Sequence, residues 1–349
     1  MIIEAVNTQA WKQHLSAFER VDVCHLPEYH SAYQRHFTDA KALMWCFREN
    51  DNLLCYPFLL SPVILLASDG SIEETEYFDV SGIYGYSGPL STSSDQGFLD
   101  KAWSAFEEWT LRENVISEFI RFSSYVENHK IAHPEMLVEP NRPVAIAILP
   151  AEPDQYLSQL GSKTRNMIRK ALKAGYETRC TSLKTELDQF RDLYSETMER
   201  NQAPDFFYYD DAYYTQLMAL PENELRLFSV FSGNEMVAAA VGLIHRDMAF
   251  YHLGASKIEA SRQGAGNLAL FAMAKYLIEQ KVTYFCVGGG RTTSDDDPLF
   301  RFKKSNATSV KDFYIGKRVI QPTAYASIVK KWETMNDTKM THSNLQFYR

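Results

Sequence analysis

The second half of this 349-residue chain contains an order of apolar segments that few folds accommodate. Three apolar strand candidates follow one another, LRLFSVF, MVAAAVGLI and MAFYHLGA. An apolar helix, GAGNLALFAMAKYLIEQK, then leads to a further strand, YFCVGG. Two amphipathic helices precede the three strands, at 162–173 and from about Lys184 to Arg200. This order predicts a mixed α+β domain whose sheet is mostly antiparallel, and it argues against a doubly wound parallel sheet.

The length predicts two domains, at roughly 150 residues for each. Pro150 and Pro153 flank a short stretch at which the character of the sequence changes, so we place the domain boundary there. The first half has a similar but fainter order, with a hairpin predicted around an Asn-Asp-Asn turn and a helix over 98–113. We therefore expect residues 1–150 and 151–317 to form two structurally duplicated α+β domains.

Composition excludes several classes of protein. The net charge of −8 argues against a protein coated in nucleic acid, although a local basic patch could still bind a polyanion. The five cysteines are scattered and form no Cys-x-x-Cys pair, so we expect reduced thiols and no metal site. The first residues lack a basic start followed by an apolar run, and the apolar stretches are too short to span a bilayer. These features predict a soluble, cytoplasmic protein.

The segment VGGGRTTSDDDPLFRFKKS, at 287–305, concentrates the chemistry-bearing residues. It is neither a phosphate-binding P-loop nor an EF-hand, because the residues that those motifs require are missing. Gly288, Gly289 and Gly290 are expected to bring the backbone close to a bound substrate. The following LFRFKKS alternates apolar and basic residues, so we expect a half-buried strand that directs Lys303 into a cleft or into solvent.

Two further segments suggest anion binding. The helix SKTRNMIRKALK carries only basic charges, and Arg165, Arg169 and Lys173 lie on one stripe, with Ser162 as the expected N-cap. This stripe is expected to bind a phosphate, a diphosphate or an RNA backbone. The segment SRQGAGN precedes the next helix and resembles the pyrophosphate loop of acetyl-CoA-using transferases. Its cofactor-binding candidates are Arg262, Gly264, Gly266 and Asn267.

Several segments together resemble one family, the FemAB/FemX-like transferases, which include the peptidoglycan interpeptide-bridge enzymes. These segments are SGIYGYSGPL, LGSKTRNMIRKALKAGYE, LYSETMERNQAPDFFYYDDAYYTQL and the run from GNLALF to FKKS. The resemblance covers the chain from about Tyr77 to about Gly316. It implies two acetyltransferase-type (GNAT) domains side by side, with residues from about 318 to 349 returning to complete the first domain.

The resemblance also implies site residues. The Phe-Lys pair of the family corresponds to Phe302 and Lys303, and the lysine lies near the transfer centre. The arginine that contacts acceptor phosphates corresponds to Arg200. We expect Lys303 to stabilise the oxyanion of the tetrahedral intermediate. Asp296 or Asp297 is expected to accept or orient the proton of the attacking amine. Tyr84, Tyr86 and Tyr251 are expected to line the cleft or to pack in a core.

The implied reaction transfers an acyl or aminoacyl group to an amine, on a cell-envelope or surface-polysaccharide precursor that bears phosphate, such as a nucleotide- or lipid-linked sugar. Acyl-CoA is slightly favoured as the donor over aminoacyl-tRNA, because the chain is acidic and shows no heptad segment for a tRNA-binding arm. A non-catalytic module that binds a nucleotide-linked sugar or RNA is the alternative from another class.

Overall fold

The structure is a computed structural model that describes residues 1–34, 39–292, 294, 296–340 and 345–348. The chain divides into two compact units, Met1–Pro140 with Phe313–Arg349, and Asn141–Asp312. The division falls within two strands, β7 (Leu137–Ile148) and β13 (Ser309–Val319). The first division point, after Pro140, lies ten residues before the domain boundary expected at Pro150. The last part of the chain, Phe313–Arg349, belongs to the first unit.

The first unit consists of a mixed sheet with flanking helices. Its strand order is β1-β2-β3-β4-β6-β13, and β5 pairs with β3. Only β4 and β6 are parallel among these pairs in the part of the chain that the structure describes. Besides β7 and β13, its helices and strands are β1 (Ile2–Glu4), α1 (Thr8–Leu15), α2 (Pro27–Gln34), β2 (Lys41–Glu49), β3 (Asn52–Leu66), β4 (Ile72–Ser81), β5 (Leu90–Ser91), α3 (Gln96–Arg112), β6 (Val115–Arg121) and α11 (Pro322–Asn336).

The second unit repeats this arrangement. Its strand order is β7-β12-β11-β10-β9-β8, and β11 with β12 is the parallel pair. Its further elements are α4 (Pro153–Gln159), α5 (Ser162–Lys173), β8 (Glu177–Ser182), α6 (Leu187–Arg200), α7 (Asp211–Leu217), β9 (Leu225–Ser232), β10 (Glu235–His245), β11 (Met248–Ser256), α8 (Ile258–Arg262), α9 (Ala265–Glu279), β12 (Tyr284–Gly289) and α10 (Pro298–Ser305).

The same connectivity explains why both units share one topology. In each unit, three antiparallel neighbours are followed by a helix, α3 or α9, which returns the chain to form a parallel strand. The parallel strand of each unit then pairs on its other edge with a strand from a distant part of the sequence, β13 in the first unit and β7 in the second. The predicted mixed α+β fold with mostly antiparallel sheets is therefore confirmed, and the predicted hairpin is formed by β2 and β3.

The core of the second unit lies between its sheet and α9. Helix α9 is apolar around most of its circumference, and residues such as Leu268, Met273 and Leu277 are buried against strand residues such as Phe228 and Phe285. Helix α5 packs on α9 through Ile168 and Ala171. Within the described ranges, no helix is both long enough and apolar enough to cross a membrane.

Two local predictions were wrong. The segment LFRFKKS is a helix, α10, and not a strand. Pro298 occupies its first turn and the Asp297 side chain accepts the Phe300 N–H, so a cap and a proline start the helix despite the alternating apolar pattern. Ser162 does not cap α5, because the N-cap position is Gly161 and Ser162 is already helical.

Candidate active site

The parallel strands of the second unit pair over only a short length. Their register covers three residue pairs and ends with Phe250 opposite Cys286. Strand β11 continues for six residues beyond that pair and β12 for three. Parallel strands that stop pairing leave backbone groups and side chains between them for other contacts. This gap between β11 and β12 is where the candidate site lies.

A β-bulge lies in each strand beside the gap. His252 is an extra residue in β11, because the residues on either side of it pair with consecutive residues of β10. Val287 is likewise an extra residue in β12 relative to β7. Bulges bend a strand and redirect side chains, and they are over-represented next to active sites. The two bulges therefore account for the separation of the strands here.

Lys303 reaches this gap from α10. A Cβ atom at Gly288 would lie 3.0 Å from Lys303 Nζ, and Gly288 has a φ of +98°, which disfavours other residues. The ammonium also lies over the ring of Tyr251, 5.6 Å from its centroid. On a helix, Lys303 shares a face with the buried Phe300 three positions earlier, so it points inward. The strand pattern had assigned these two residues to opposite faces.

The surroundings of Lys303 favour its neutral form more than water does. Burial lowers the pKa of Lys303 to about 8 from its ordinary value of 10.5, and Cys286 and Asp297 only partly oppose this shift. His252 lies close enough to Lys303 for the ammonium charge to affect the pKa of its imidazole. Burial, with the Lys303 charge as a smaller cause, lowers the pKa of His252 to about 3, so its imidazole is neutral at physiological pH.

His252 is a site residue that the sequence did not reveal. Its Nε2 lies 2.5 Å from the hydroxyl oxygen of Tyr213, and the ring of Tyr209 stacks on Tyr213 with centroids 4.0 Å apart. The nine histidines are dispersed along the sequence, and none of them was predicted to belong to the site. No motif surrounds His252, and the bulge that directs it arises from sheet pairing, which a single sequence does not encode visibly.

Asp297 is a structural residue in this geometry. Its Oδ1 accepts the Phe300 N–H, and its Oδ2 accepts the N–H groups of Arg291 and Thr292. Burial alone would raise the pKa of Asp297, but these N–H donors outweigh burial and hold the pKa below its ordinary value. A carboxylate with a lowered pKa is a weak base. The structure therefore argues against the proton-accepting role expected for Asp297, while Asp296 is exposed on the same loop.

We expect Asp297→Ala to destabilise the protein by ~1–2 kcal/mol, because α10 loses its N-cap and the loop N–H groups lose their acceptor. Chemical denaturation monitored by tryptophan fluorescence measures this difference. The matched control, Asp296→Ala, removes an exposed carboxylate one residue away and should change stability by less than ~0.5 kcal/mol. Equal stability of the two variants would contradict the capping role.

The other glycines of the run pack against protein. A Cβ atom at Gly290 would lie 2.8 Å from Asp297 Cγ, and one at Gly289 would lie 3.3 Å from the Pro143 carbonyl oxygen. Arg142 donates to the Gly290 carbonyl at 3.0 Å. Only Gly288 of the three faces Lys303. These contacts indicate a packing role for Gly289 and Gly290, and the approach of the glycine run to a substrate stays a prediction.

The predicted cofactor loop contacts α10 through the side chain of Phe302, the neighbour of Lys303. A Cβ atom at Gly266 would lie 3.4 Å from the Phe302 ring, and Asn267 donates from Nδ2 to Asn306 Oδ1 at 3.3 Å. Gly266 is partly exposed, whereas Asn267 is buried. The N-terminus of α9 thus lies beside the helix that carries Phe302 and Lys303.

Gly264 and Arg262 are not arranged as the sequence suggested. Gly264 is the N-cap of α9 with a φ of +93°, and a Cβ atom there would lie 2.2 Å from the Met167 carbonyl oxygen. It is therefore a packing residue between α9 and α5. Arg262 is exposed and pairs with Glu259 at 2.8 Å, and its carbonyl accepts a hydrogen bond from Lys170. An exposed pair of this kind is weak, so Arg262 can exchange partners.

The basic residues separate into two groups. Arg165 is half-buried and donates to the carbonyl oxygens of Ser158 and Leu160, and these hydrogen bonds link α5 to α4. Arg165 therefore has protein partners and does not belong with the exposed residues of the predicted basic stripe. Arg169 and Lys173 are exposed on α5.

Two other predicted substrate-binding residues also have protein partners. Arg200 donates to the Ser256 carbonyl at the end of β11 at 2.8 Å and lies 3.7 Å from Glu196. Tyr86 belongs to the first unit, where it is buried edge-on against Phe313.

No group of three or more His, Cys, Asp or Glu side chains within the described residues is arranged to hold a metal ion. The described residues instead place a half-buried ammonium in a strand gap, close to a neutral imidazole, while the start of α9 lies against the neighbouring Phe302. The ammonium can stabilise developing negative charge.

The chain is similar to known proteins in sequence and in fold. An acetyltransferase (GNAT) domain family matches residues 161–304, a range that includes His252, Gly288 and Lys303. A UDP-N-acetylmuramoylpentapeptide-lysine N(6)-alanyltransferase from Weissella viridescens is 24% identical over 173 residues, 48% of this chain and 50% of that protein. The chain thus matches about half the length of this curated relative.

Solved structures share the fold over nearly the whole chain. The crystal structure of FemX matches with a TM-score of 0.68 at 14% identity, covering 94% of this chain and 99% of that one. A tandem GNAT protein from the clavulanic acid biosynthesis pathway matches with a TM-score of 0.51 at 9% identity, covering 92% and 98%. These likenesses show the fold, and together with the family match and the alanyltransferase relative they support the resemblance of the chain to the FemAB/FemX-like transferases with acetyltransferase-like (GNAT) domains.

Proposed function

We propose that this protein transfers an activated acyl or aminoacyl group to an amine in the gap between β11 and β12. The observation that carries the proposal is the Lys303 ammonium, which lies beside Gly288 in this gap. An amine that attacks an ester or thioester passes through a tetrahedral oxyanion. A preorganised donor of low exposure stabilises that charge, and removing one such donor typically costs ~10²–10³ in turnover.

The proposed acceptor is an amine on a phosphate-bearing precursor of the cell envelope, such as a nucleotide- or lipid-linked sugar. The curated relative is named for alanyl transfer to a lysine of a UDP-linked muropeptide, which supports this class. Arg169 and Lys173 are exposed on α5, and Arg200 is partly exposed, so these three side chains are the proposed phosphate contacts. A cytoplasmic location stays a prediction from the sequence.

Acyl-CoA is the donor that we propose first, and aminoacyl-tRNA is the second candidate. The first three N–H groups of α9 have no partner within the helix, and Gly266 is partly exposed there, so a phosphate could bind at this helix start. The net charge of −8 also disfavours a long RNA backbone. The binding of CoA and the binding of tRNA are expected to differ in how strongly their affinities depend on salt concentration.

Calorimetric titration with acetyl-CoA, paired with an aminoacyl-tRNA titration, tests the donor. Gly266→Glu places a carboxylate in the first turn of α9, where it suits the helix dipole but repels a phosphate, and Gly266→Gln is the neutral control of the same size. CoA binding that is lost only in the Glu variant supports the first candidate. Salt-sensitive tRNA binding without CoA binding supports the second.

A catalytically silent binding module is the alternative from another class. It would bind a nucleotide-linked sugar or RNA through Arg169 and Lys173 and would not need Lys303. Ligand binding that is unchanged in Lys303→Ala, with no turnover detected in the wild-type protein for either donor, would favour this alternative.

The pKa of Lys303 predicts the alkaline limb of the pH profile. Oxyanion stabilisation requires the ammonium form, so kcat/KM should fall tenfold per pH unit as pH rises above about 8. Lys303→Arg keeps a positive charge at all these pH values and should lose the limb, even if its turnover is low. The measurement is kcat/KM between pH 6 and pH 10 in both proteins, and an alkaline limb that persists in the Arg variant would exclude Lys303 as its source.

A further inference from the structure

Two cysteines face each other across the β2–β3 hairpin of the first unit. The register pairs Cys46 directly with Cys55. The backbone N–H and carbonyl of Cys46 both bond to Met1, on the side away from β3. Cys46 and Cys55 are therefore a non-hydrogen-bonded antiparallel pair, the kind in which Cα atoms are closest, at ~4.5 Å. The hairpin thus presents the two side chains to each other.

The two sulfur atoms are already in contact. Their Sγ atoms are 3.1 Å apart, and both residues are buried, Cys46 at 4% exposure and Cys55 at 0%. A disulfide needs a sulfur separation of ~2.05 Å and a Cα separation of ~4.4–6.8 Å. The typical Cα spacing of a non-hydrogen-bonded pair lies within the second range, and the sulfur atoms need to approach by only ~1 Å. Small side-chain rotations suffice for bond formation.

We propose that Cys46 and Cys55 are a modification site, a dithiol that a small-molecule disulfide oxidises to an intramolecular cross-strand disulfide. The Cys46 thiolate attacks the reagent disulfide, forms a mixed disulfide and expels one reagent thiolate. The Cys55 thiolate then attacks the Cys46 sulfur and expels the second. The protein loses two electrons and two protons, and the reagent is reduced to two thiols.

The surroundings decide the order and the pace of these steps. Cys46 reacts first because it is the more exposed of the two and lines a surface pocket with Trp45, Phe47 and Trp109. The contact with Cys46, and secondly burial, raises the pKa of Cys55 above its ordinary range. Thiolate is the attacking species, so closure is slow at neutral pH and accelerates as pH rises.

The closed bond should stabilise the hairpin. It links residues nine positions apart, and a loop of that length gives a modest gain on the usual scaling of disulfide stabilisation with loop length. We expect the melting temperature of the oxidised protein to exceed that of the reduced protein by about 2–6 °C.

The experiment uses the full chain, first reduced and then incubated with oxidised glutathione at pH 8. Acid quenching, unfolding, alkylation and peptide mapping then identify the linked cysteines. The expected result is a Cys46–Cys55 cross-linked peptide, with Cys24, Cys180 and Cys286 all alkylated. Cys180→Ser, which removes the exposed thiol, should leave the cross-link unchanged, and Cys55→Ala should stop the reaction at a glutathione adduct on Cys46.

Peptide mapping of the oxidised wild-type protein is sufficient to test the proposal, even without the variants. Complete alkylation of Cys46 and Cys55 after incubation would overturn the proposal, because the proposal requires that the oxidant reaches Cys46 and that Cys55 then closes the bond. A stable glutathione adduct on wild-type Cys46, or a cross-link that involves Cys180, would overturn it equally.

Discussion

Lys303→Met should lose turnover by ~10²–10³ and at the same time raise the stability of the protein. Turnover falls because the strand gap beside Gly288 loses its positive charge. Stability rises because methionine has a similar length and no charge to bury beside Gly288, Phe250 and Tyr251. Few substitutions separate a functional role from a structural one so clearly, because the two effects have opposite signs.

The sign of the stability change follows from proton linkage. The folded protein holds the Lys303 proton less tightly than the unfolded chain, with a pKa of about 8 against 10.5. The resulting penalty is therefore fully present below about pH 8 and disappears as pH rises towards 10.5. A shift of this size corresponds to ~3 kcal/mol. The Met variant should exceed the wild type by up to this amount at pH 7, and by less at pH 9.5.

Urea denaturation at the two pH values measures this difference, and single-turnover acyl transfer measures the chemical step. Lys304→Met is the matched control, since Lys304 is exposed one position further along α10 and should change neither property much. A Lys303 variant that folds normally and retains turnover would remove the lysine from the mechanism. A variant that is less stable than the wild type at pH 7 would contradict the burial of an uncompensated charge.

The fold was predictable where short-range patterns agree with tertiary structure. The β2–β3 hairpin follows from its polar turn, and β9 to β12 follow from continuous apolar runs, because both faces of these strands are covered. α10 was missed for the opposite reason. Its apolar and basic residues alternate as in a strand, and the Asp-Pro start that sets its helical conformation is two residues long.

The site was predictable only where one residue type carries the chemistry. Lys303 and Phe302 were identified through the family pattern, but the partners of Lys303 were not. His252 enters through a bulge, and Gly288 matters because its missing Cβ makes room for an ammonium. Arg165 was assigned to a binding stripe because helical spacing cannot distinguish an arginine in solvent from one bound to nearby carbonyls. Such distinctions depend on contacts between segments that are distant in sequence.

Gly264 provides the second large effect, and it separates packing from phosphate binding. The sequence suggested a cofactor role for this glycine, whereas a Cβ atom here would lie 2.2 Å from a backbone carbonyl oxygen of α5. The φ of +93° adds a backbone cost for any other residue. Because the opposing atom is backbone, Gly264→Ala must push α5 away from α9. We expect a loss of ~2–5 kcal/mol of unfolding free energy.

Gly266→Ala is the matched control, two positions further along the same helix start. A Cβ atom there would meet only the ring of Phe302, at 3.4 Å, so stability should stay within ~0.5 kcal/mol of the wild type or rise slightly. Urea denaturation of both variants, with acetyl-CoA titration of each folded protein, completes the comparison. If Gly264→Ala were as stable as the control and lost only CoA binding, Gly264 would be a ligand contact and the packing of α5 on α9 would not depend on it. A large loss of stability in Gly264→Ala alone would instead mean that the glycine in this loop is required by helix packing, which leaves the N–H groups at 265–267 to carry any phosphate contact.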